Sequence, residues 1–397
     1  MNKVPRTVWA LGVVSLLMDL SSEIIHALLP LFLTTTLGVS VAMVGLIDGI
    51  AEATASISKV FSGYVSDRIG RRKPLILLGY GLGALSKPLF ALAGSASVVL
   101  GARFADRIGK GLRGAPRDAL VADVTPEAIR GRAFGLRQSL DTVGAFAGPL
   151  LAIALMAIFA NDMRRVFWIA VIPGALAVLC VVFWVKEPRE HTDHGKAMPP
   201  VALADLRVLD RSFWTVVVIG VVFSLARFSE AFLILKAADE GLPLMFAPAV
   251  LIAMNVVYAL GAYPAGVLSD RYPASVLLGA GLAALILADL ALALSRGLIG
   301  AFTGIALWGL HMALTQGLMA KLVADRAPRE LRGSAFGLFN LASGIAMLVA
   351  SVLAGLLWDM AGPRVTFLAG ASLATIAAIA LLGSNGLRKN GVPTNNA

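Results

Sequence analysis

Charged residues and cysteine are both scarce in this sequence. Only 15% of its 397 residues are charged and 58% are hydrophobic, which gives a mean hydropathy of +0.82. A chain of this composition cannot cover its surface with polar groups, so it is predicted to be an integral membrane protein. The single cysteine, Cys180, lies within an apolar run and excludes an internal disulfide and a cysteine metal cluster.

The formal net charge of +10 has a different meaning here than in a soluble protein. In so apolar a chain, basic residues are expected to crowd short loops beside the membrane, and no nucleic-acid partner is expected. At the N-terminus, Lys3 and Arg6 precede an apolar run, as in a signal peptide. Acids then follow at Asp19 and Glu23, where a cleavage region is small and neutral. We therefore predict an uncleaved first span.

Apolar runs near the length of about 20 residues that a helix needs to cross hydrocarbon occur twelve times. They lie near residues 8–35, 42–66, 74–94, 96–123, 132–158, 165–185, 213–236, 243–270, 275–295, 297–325, 333–358 and 363–385. One long polar interruption, Lys186 to Arg211, contains prolines and mixed charges. The pattern predicts six spans in residues 1–185, a linker at 186–212 and six spans in residues 213–397.

Two segments repeat across the chain at almost one offset. Leu120-Val-Ala-Asp123, followed by Arg130-Gly131 and Phe134-Gly135-Leu136, returns 202 residues later as Leu322-Val-Ala-Asp325, followed by Arg332-Gly333 and Phe336-Gly337-Leu338. Gly63-Tyr-Val-Ser-Asp67-Arg68 returns 203 residues later as Gly266-Val-Leu-Ser-Asp270-Arg271. Duplicated halves of an apolar chain are typical of transporters with a pseudo-symmetric path across the bilayer.

Loop charge predicts the orientation. If both termini lie in the cytoplasm, lysines and arginines of the cytoplasmic loops outnumber those of the outer loops by roughly four to one. We therefore predict a multi-pass protein of the cell membrane with both termini and the linker in the cytoplasm.

The loop between spans 2 and 3 carries the most specific motif, Gly63-x-x-x-Asp67-Arg68-x-Gly70-Arg71-Arg72. Its glycine permits close helix packing, its acid can accept hydrogen bonds from a helix N-terminus, and its basic run suits the inner membrane face. This motif resembles the signature of the major facilitator superfamily. The second copy keeps Asp270 and Arg271 and loses the basic run.

Two further stretches carry the same resemblance. Ala102-Arg103-Phe104 resembles the family's fourth-helix motif, and Gly144-Ala-Phe-Ala-Gly148-Pro149 resembles a motif associated with proton-coupled exporters. The resemblance implies an all-α fold with twelve transmembrane helices in two pseudo-symmetric six-helix bundles. It assigns loop and gating roles to Gly63, Asp67, Arg68, Gly70, Arg71, Arg72, Arg117, Asp123, Arg132, Gly144, Gly148, Pro149, Asp270 and Arg271.

Many charged side chains lie inside the spans of the N-terminal half. A charge at the bilayer centre costs at least about 2.5–3.5 kcal/mol, so such residues are expected to face a polar interior or a partner. Basic and acidic members nearly balance, which favours a network of internal ion pairs. The basic residues of span 4, Arg103, Arg107 and Lys110, with Lys87 of span 3, are the predicted anion-attracting wall.

Asp19 and Glu23 lie one helical turn apart in span 1. In a low-dielectric environment two such acids repel each other when both are ionised, so one is expected to hold a proton near neutral pH. We predict that Glu23, with Asp19 as the coupled alternative, carries a transported proton. His26, on the same helical face, either tunes this group or packs between helices.

The C-terminal half offers fewer candidates. Arg227 and Glu230 are expected to share a helical face, as an ion pair or a gate. Asn255, Tyr258, Trp308, His311 and Gln316 are candidates for a substrate wall, with packing as the alternative role.

The sequence thus predicts a proton-coupled secondary transporter for a small organic anion or zwitterion and favours an antiporter for efflux. Its partners would be the substrate, protons and the lipid bilayer, with no cofactor and no bound metal, and one chain would suffice as a functional monomer. Import of an organic anion or metal chelate by symport uses the same residues and stays open. A transporter-like sensor and a polytopic membrane enzyme are the alternatives from other classes.

Overall fold

The computed structural model describes residues 3–69, 71–126, 129–187, 209–326 and 332–383. Within these residues the regular secondary structure is entirely helical. The helices are α1 (Arg6–His26), α2 (Val41–Ile69), α3 (Lys73–Leu92), α4 (Ala96–Asp123), α5 (Arg130–Ile158), α6 (Met163–Phe183), α7 (Arg211–Ala226), α8 (Ala249–Arg271), α9 (Ala274–Leu294) and α10 (Gly297–Arg326). A last helical stretch, Arg332–Gly383, divides at Gly362 into α11 (332–361) and α12 (363–383). Residues 188–208 of the predicted linker lie outside the described residues.

The described helices give twelve membrane spans. Ten stretches are long and apolar enough by composition, and the last of them, Ala335–Leu381, contains both α11 and α12. Gly362, with φ 83° before Pro363, makes the break between these two helices, because few residues other than glycine adopt this backbone conformation. The twelfth span is α4, which is 28 residues long but charged along one face. The predicted twelve-helix fold is confirmed.

Two spans are broken near their middle, and they hold equivalent places in the two halves. After α1, the chain continues through a turn at 27–28 into Leu29–Leu31 and a π-helical Phe32–Thr36. After α7, residues 227–230 leave the helix, and Ala231–Asp239 completes the span. Broken helices place free backbone groups in the membrane, where they are tolerated only beside protein or a polar cavity.

The two halves repeat one packing scheme. In the first, α1 packs on α5 and α6, α4 on α2 and α3, and α3 on α6. In the second, α7 packs on the α11–α12 stretch, α10 on α8 and α9, and α9 on the α11–α12 stretch. Contacts between halves run mainly from α2 to α11, with a smaller set from α5 to α8. This is the two-bundle pseudo-symmetry that the sequence repeat predicts.

The even number of spans puts both chain ends on one side, which we call the termini face, opposite the distal face. Glycines let α2 and α11 approach closely on the distal side. A Cβ atom at Gly355 would lie 2.6 Å from the Cα of Ala42, and one at Gly49 would lie 2.8 Å from Leu348. The close contacts between α2 and α11 extend along both helices as far as Ser56 and Gly344. The halves are therefore closed together on the distal side.

A carboxylate of the C-terminal half forms hydrogen bonds to the N-terminal half at the distal face. Asp359, at the distal end of α11, accepts hydrogen bonds from the backbone N–H groups of Val41 (3.0 Å) and Ala42 (2.8 Å) at the start of α2. These N–H groups have no partner within their own helix, and the helix dipole favours a negative charge beside them. Asp359 therefore stabilises the state that is closed at the distal face.

A second distal carboxylate acts within the C-terminal half. Glu240 pairs with Lys236 and accepts a hydrogen bond from the backbone N–H of Gly297, where α10 begins. The hydrogen bond from Lys236 lowers the pKa of Glu240 below its usual range. The interactions of Glu240 with Lys236 and with the N–H of Gly297 are therefore present at neutral pH and weaken only when acid protonates Glu240.

Gly144→Ala should destabilise the N-terminal half, because a Cβ atom there would overlap the backbone carbonyl of Leu16 in α1. Backbone cannot yield as a flexible side chain can, so we expect a loss of about 1–3 kcal/mol. Thermal unfolding of the purified protein measures this loss. Gly135→Ala, in the same helix but with nothing within 4 Å of its Cβ position, is the matched control. Equal melting temperatures for the two variants would contradict the packing.

Asp359→Ala should weaken closure at the distal face. Loss of a helix-capping carboxylate costs about 1 kcal/mol, which corresponds to an approximately fivefold larger share of molecules open on that side. Spin labels at Ser97→Cys and Arg296→Cys, in a Cys180→Ser background, report the distance between the halves. Asp162→Ala removes a carboxylate that caps α6 within one half and should leave the distance distribution unchanged. An unchanged distribution in Asp359→Ala would refute the role of this carboxylate.

Candidate functional site

A cavity of about 300 Å³ lies between the two halves, where the breaks of the first and seventh spans meet. Its lining comprises Glu23, His26, Asp48, Glu52, Arg107, Lys110, Ala145, Arg227, Phe228, Ser229, Glu230, Leu251, Asn255 and Met347. Most of its charged groups come from the N-terminal half, while Arg227, Ser229 and Glu230 come from the break after α7. We refer to this space as the central cavity.

The end of α1 supplies a carboxylate and an imidazole to this cavity. Glu23 Oε2 lies 3.5 Å from His26 Nδ1, one turn along the helix, and both side chains are half-buried. Gly148 of α5 packs directly behind them, because a Cβ atom there would lie 2.6 Å from the Cβ of Glu23. The glycines of the exporter-like motif thus bring α5 against the face of α1 that carries Glu23.

Asp19 faces a different set of groups from Glu23. Its carboxyl group lies within hydrogen-bonding reach of Asp141 on α5 and near Lys110 and Arg113. Asp141 is in turn 3.8 Å from both Arg117 and Arg137. The two acids of span 1 therefore have different nearest partners, although Lys110 lies near both, and only Glu23 lines the central cavity.

The break after α7 changes the geometry expected for Arg227 and Glu230. These residues lie in extended and turn backbone and not on a helical face, and no salt bridge within 4 Å joins them, although the charge of Arg227 still acts on Glu230. Arg227, Glu230 and Lys110 of α4 all line the central cavity, and none of them has a salt bridge or side-chain hydrogen bond among the described residues. The cavity therefore holds two cations and one carboxylate that are available to a ligand.

One hydrogen bond joins the two halves at the level of the cavity. Ser229 Oγ donates to Asp48 Oδ2 at 2.8 Å, and Asp48 Oδ1 accepts a hydrogen bond from Arg103 Nη2 at 3.0 Å. Asp48 and Arg103 are almost fully buried in the N-terminal half. A movement of the α7 break relative to α2 must break the hydrogen bond from Ser229 to Asp48.

Two of the four residues of the predicted basic wall line the central cavity. Arg103 forms an ion pair with Asp48. The fully buried Lys87 donates hydrogen bonds to Asp106 (2.8 Å) and Ser22 (2.9 Å). Neither cation lines the cavity. Burying a charge is costly without a close partner, which explains why these two cations are paired. Arg107 and Lys110 do line the cavity, and Arg107 is 3.3 Å from Glu52.

A second cavity of about 330 Å³ lies within the C-terminal half, on the termini side of the first. Its polar lining consists of Ser224, Arg227, His311, Thr315, Gln316, Asn340 and Ser343, beside three phenylalanines. His311 Nδ1 is 2.8 Å from the carbonyl oxygen of Gly281. Arg227 borders both cavities, so the two spaces follow one another from the termini face to the middle of the protein.

Two aromatic candidates lie elsewhere. Trp308 is fully buried in an aromatic cluster, 5.4 Å from the ring of Phe228, and is not part of either cavity wall. Tyr258 packs against the main apolar core and is absent from both linings. Helical spacing alone cannot distinguish a cavity-facing aromatic residue from one that faces the core, which is why both were candidates.

The loop motif at the termini face is described only in part. Gly63, Asp67 and Arg68 belong to α2 but their surroundings lie outside the described residues, as do Gly70 and the side chain of Asp270. Arg71, Arg132 and Arg271 are exposed. Arg72 donates to Ser66 and lies 3.5 Å from Asp123, while Glu187 accepts hydrogen bonds from the backbone N–H groups of Arg72 and Lys73. Arg117 donates to Ser15 at 2.9 Å.

Several residues of the site were not among the sequence candidates. Asp48 and Glu52 carry a detectable signal, since acids within a span are unusual. Ser229 and Asn340 carry none, because single hydroxyl and amide side chains are common in packed membrane helices. Asp359 stands at the end of an apolar run and looks like an ordinary loop acid.

The fold and the cavity define a class of protein: a membrane transporter of two six-helix halves with a polar cavity between them. The family model of the Major Facilitator Superfamily matches residues 11–350 and 249–395. The chain is 32% identical over 390 residues to an uncharacterised MFS-type transporter of Methanocaldococcus jannaschii, covering 96% of this chain and 95% of that protein. The chain belongs to the major facilitator superfamily.

Two further similarities agree with this assignment. The multidrug resistance protein MdtH of Edwardsiella ictaluri is 24% identical over 355 residues, which cover 87% of this chain and 85% of that protein. A crystal structure of a point mutant of the nucleoside transporter NupG superposes with a TM-score of 0.80 over 95% of this chain and 99% of that one. Its sequence identity is 14%, so this likeness concerns the fold.

Proposed function

We propose that this transporter carries a small organic anion or zwitterion through the central cavity and couples its movement to a proton held by Glu23, with Asp19 as the alternative carrier because its carboxyl group lies within hydrogen-bonding reach of Asp141. The observation that carries the proposal is that Glu23 lines the same small cavity as two cations without partners, Lys110 and Arg227. A substrate carboxylate and a proton would then act on each other's binding through space.

The charges of the cavity favour an anion or zwitterion over a lipophilic cation. Arg107 is matched by Glu52 and Asp48 by Arg103, which leaves Lys110 and Arg227 opposite Glu23 and Glu230. Arg227 can bind a carboxylate through two parallel hydrogen bonds. Glu230 lies close enough to receive the ammonium group of a zwitterion. A volume of about 300 Å³ limits the ligand to a small solute.

Alternating access would couple these events. Arg227 also borders the second cavity, which lies between the central cavity and the termini face. Protonation of Glu23 would remove the negative charge that attracts the ammonium group of a zwitterion, so the proton and a zwitterion would exclude each other, as antiport requires. For a plain anion the same protonation would strengthen binding, as symport requires. Rocking of the halves then exposes the same groups on the other side.

The loop charges favour a cell-membrane location with both termini in the cytoplasm. In that orientation the closed distal face would be the outer one, which is the arrangement expected of an exporter ready to load its substrate. Similarity to a multidrug resistance protein supports efflux by antiport. Symport of an organic anion or a metal chelate would use the same groups in the reverse order, and the direction of proton flux distinguishes the two.

Glu23→Gln should abolish proton coupling while leaving substrate exchange. Proteoliposomes with an internal pH dye and no imposed gradient are challenged with a panel of anions, zwitterions and cations, and exchange is followed in parallel with labelled substrate. Glutamine keeps the shape of the side chain but cannot bind and release a proton in this range. Glu230→Gln, in the same cavity, should alter substrate affinity and keep proton movement. Active transport by Glu23→Gln with unchanged pH dependence would refute the assignment.

Arg227→Gln should weaken binding of carboxylate substrates about tenfold or more, since a charge-assisted hydrogen bond contributes about 1.5–3 kcal/mol. Arg227→Lys should recover part of the affinity because it keeps the charge. Direct binding to purified protein measures both, with Arg296→Gln at the distal face as a control. If the wild-type protein bound lipophilic cations and ignored carboxylates, the proposed substrate class would be wrong.

A further inference from the structure

A short repeat at the start of each half is unrelated to the central cavity. Arg6-Thr-Val-Trp9 begins α1, and Arg211-Ser-Phe-Trp214 begins α7, at an offset of 205 residues. Both segments lie at the termini face. An arginine followed one helical turn later by a tryptophan therefore occupies the same place in both bundles.

Each repeat borders a groove on the outer surface of its bundle. The first groove, of about 510 Å³, lies between α1 and the end of α6 and includes Arg6, Trp9, Val13, Trp184 and Lys186. The second, of about 390 Å³, lies between α7 and α12 and includes Arg211, Trp214, Val218 and Ala377. Since α1 with α6 and α7 with α12 are equivalent pairs, the two grooves are related by the pseudo-symmetry of the fold.

The walls of both grooves are exposed and apolar, with cations at one end only. Trp9 is 50% exposed, Trp214 38%, Trp184 62% and Val218 60%. Arg6 and Arg211 are exposed, and neither guanidinium has a partner among the described residues. The cation and the tryptophan mark the level of the membrane interface, and the apolar wall extends from there toward the hydrocarbon layer.

We propose that the two grooves are paired binding sites for anionic phospholipid. A guanidinium binds phosphate through charge-assisted hydrogen bonds, tryptophan occupies the interfacial level, and the apolar wall accepts an acyl chain. Free phosphate would satisfy only the arginine and would leave the apolar wall uncovered. Lys186 adds a second cation to the first groove, so this site should be the tighter one.

The location gives the sites a consequence for the protein. Each groove is built on the broken span of its half, α1 with Glu23 at its end and α7 followed by Arg227. A lipid in each groove would bind each of these helices to its neighbour, α6 or α12, within the same bundle. The bundles would then be stabilised as separate rigid units, which is a benefit that does not depend on the identity of the substrate.

Thermal unfolding of the full-length protein in nanodiscs tests the proposal. We expect phosphatidylglycerol to raise the melting temperature relative to phosphatidylcholine. This difference should fall by more than half in Arg6→Gln/Lys186→Gln, by less than half in Arg211→Gln, and should vanish when all three changes are combined, because the sites are distant and independent. Arg326→Gln, also at the termini face, is the control and should keep the full difference.

Native mass spectrometry gives an independent count of bound lipid. The wild-type protein should retain two phosphatidylglycerol molecules after mild delipidation, and each groove variant should retain one. Arg6→Lys and Arg211→Lys, which keep the charge, should retain both. Unchanged retention in the combined glutamine variant would overturn the proposal, and so would an equal stabilisation by inorganic phosphate in detergent. Occupation of the grooves by another segment of this chain would also overturn it, and would appear as wild-type protein that binds no lipid at all.

Discussion

A charge within the membrane must have a partner, and this constraint organises the N-terminal half. Lys87 with Asp106, Arg103 with Asp48 and Arg107 with Glu52 join neighbouring helices at distances of 2.8 to 3.3 Å. Removing one member of such a buried pair destabilises the fold more than replacing both members by apolar residues, because it leaves a buried charge without its partner. Most charges of α2, α3 and α4 are therefore structural, and the few cavity-facing ones without partners stand out as available to a ligand.

The two halves share their packing scheme but divide the chemistry. The N-terminal half contributes ion pairs, whereas the C-terminal half contributes an aromatic cluster around Phe228 and the non-helical segment 227–230. The break lets Arg227 and Glu230 reach the cavity without being locked to each other. Ser229, between them, is bonded to Asp48 of the other half. The site is thus assembled from a rigid, charged side and a side built on irregular backbone.

Sequence patterns predict some of these features well and others poorly. Hydropathy locates eleven of the twelve spans, because burial in lipid acts on long stretches of chain, whereas α4 carries too many charges along one face. It does not locate the break at 227–230, which interrupts an apolar run without glycine or proline. Helical spacing indicates that Lys87 and Arg103 face the interior, but the partner that each one meets depends on the helices opposite. The same limit explains why Trp308 was a cavity candidate and Asp359 was not.

The hydrogen bonds between the two halves stabilise the state that is closed at the distal face, and they must break when that face opens. Asp359 holds two N–H groups of α2 at the distal face, and Ser229 holds Asp48 near the cavity. Hydrogen bonds to charged groups contribute about 1.5–3 kcal/mol when buried and less when exposed. Opening the distal side must break both contacts, and a ligand can offset this cost only by binding the two states with different affinity. Arg227 is adjacent to Phe228 and Ser229 in the same irregular segment, so an anion that draws its guanidinium into the cavity would act directly on the segment whose hydrogen bond must break.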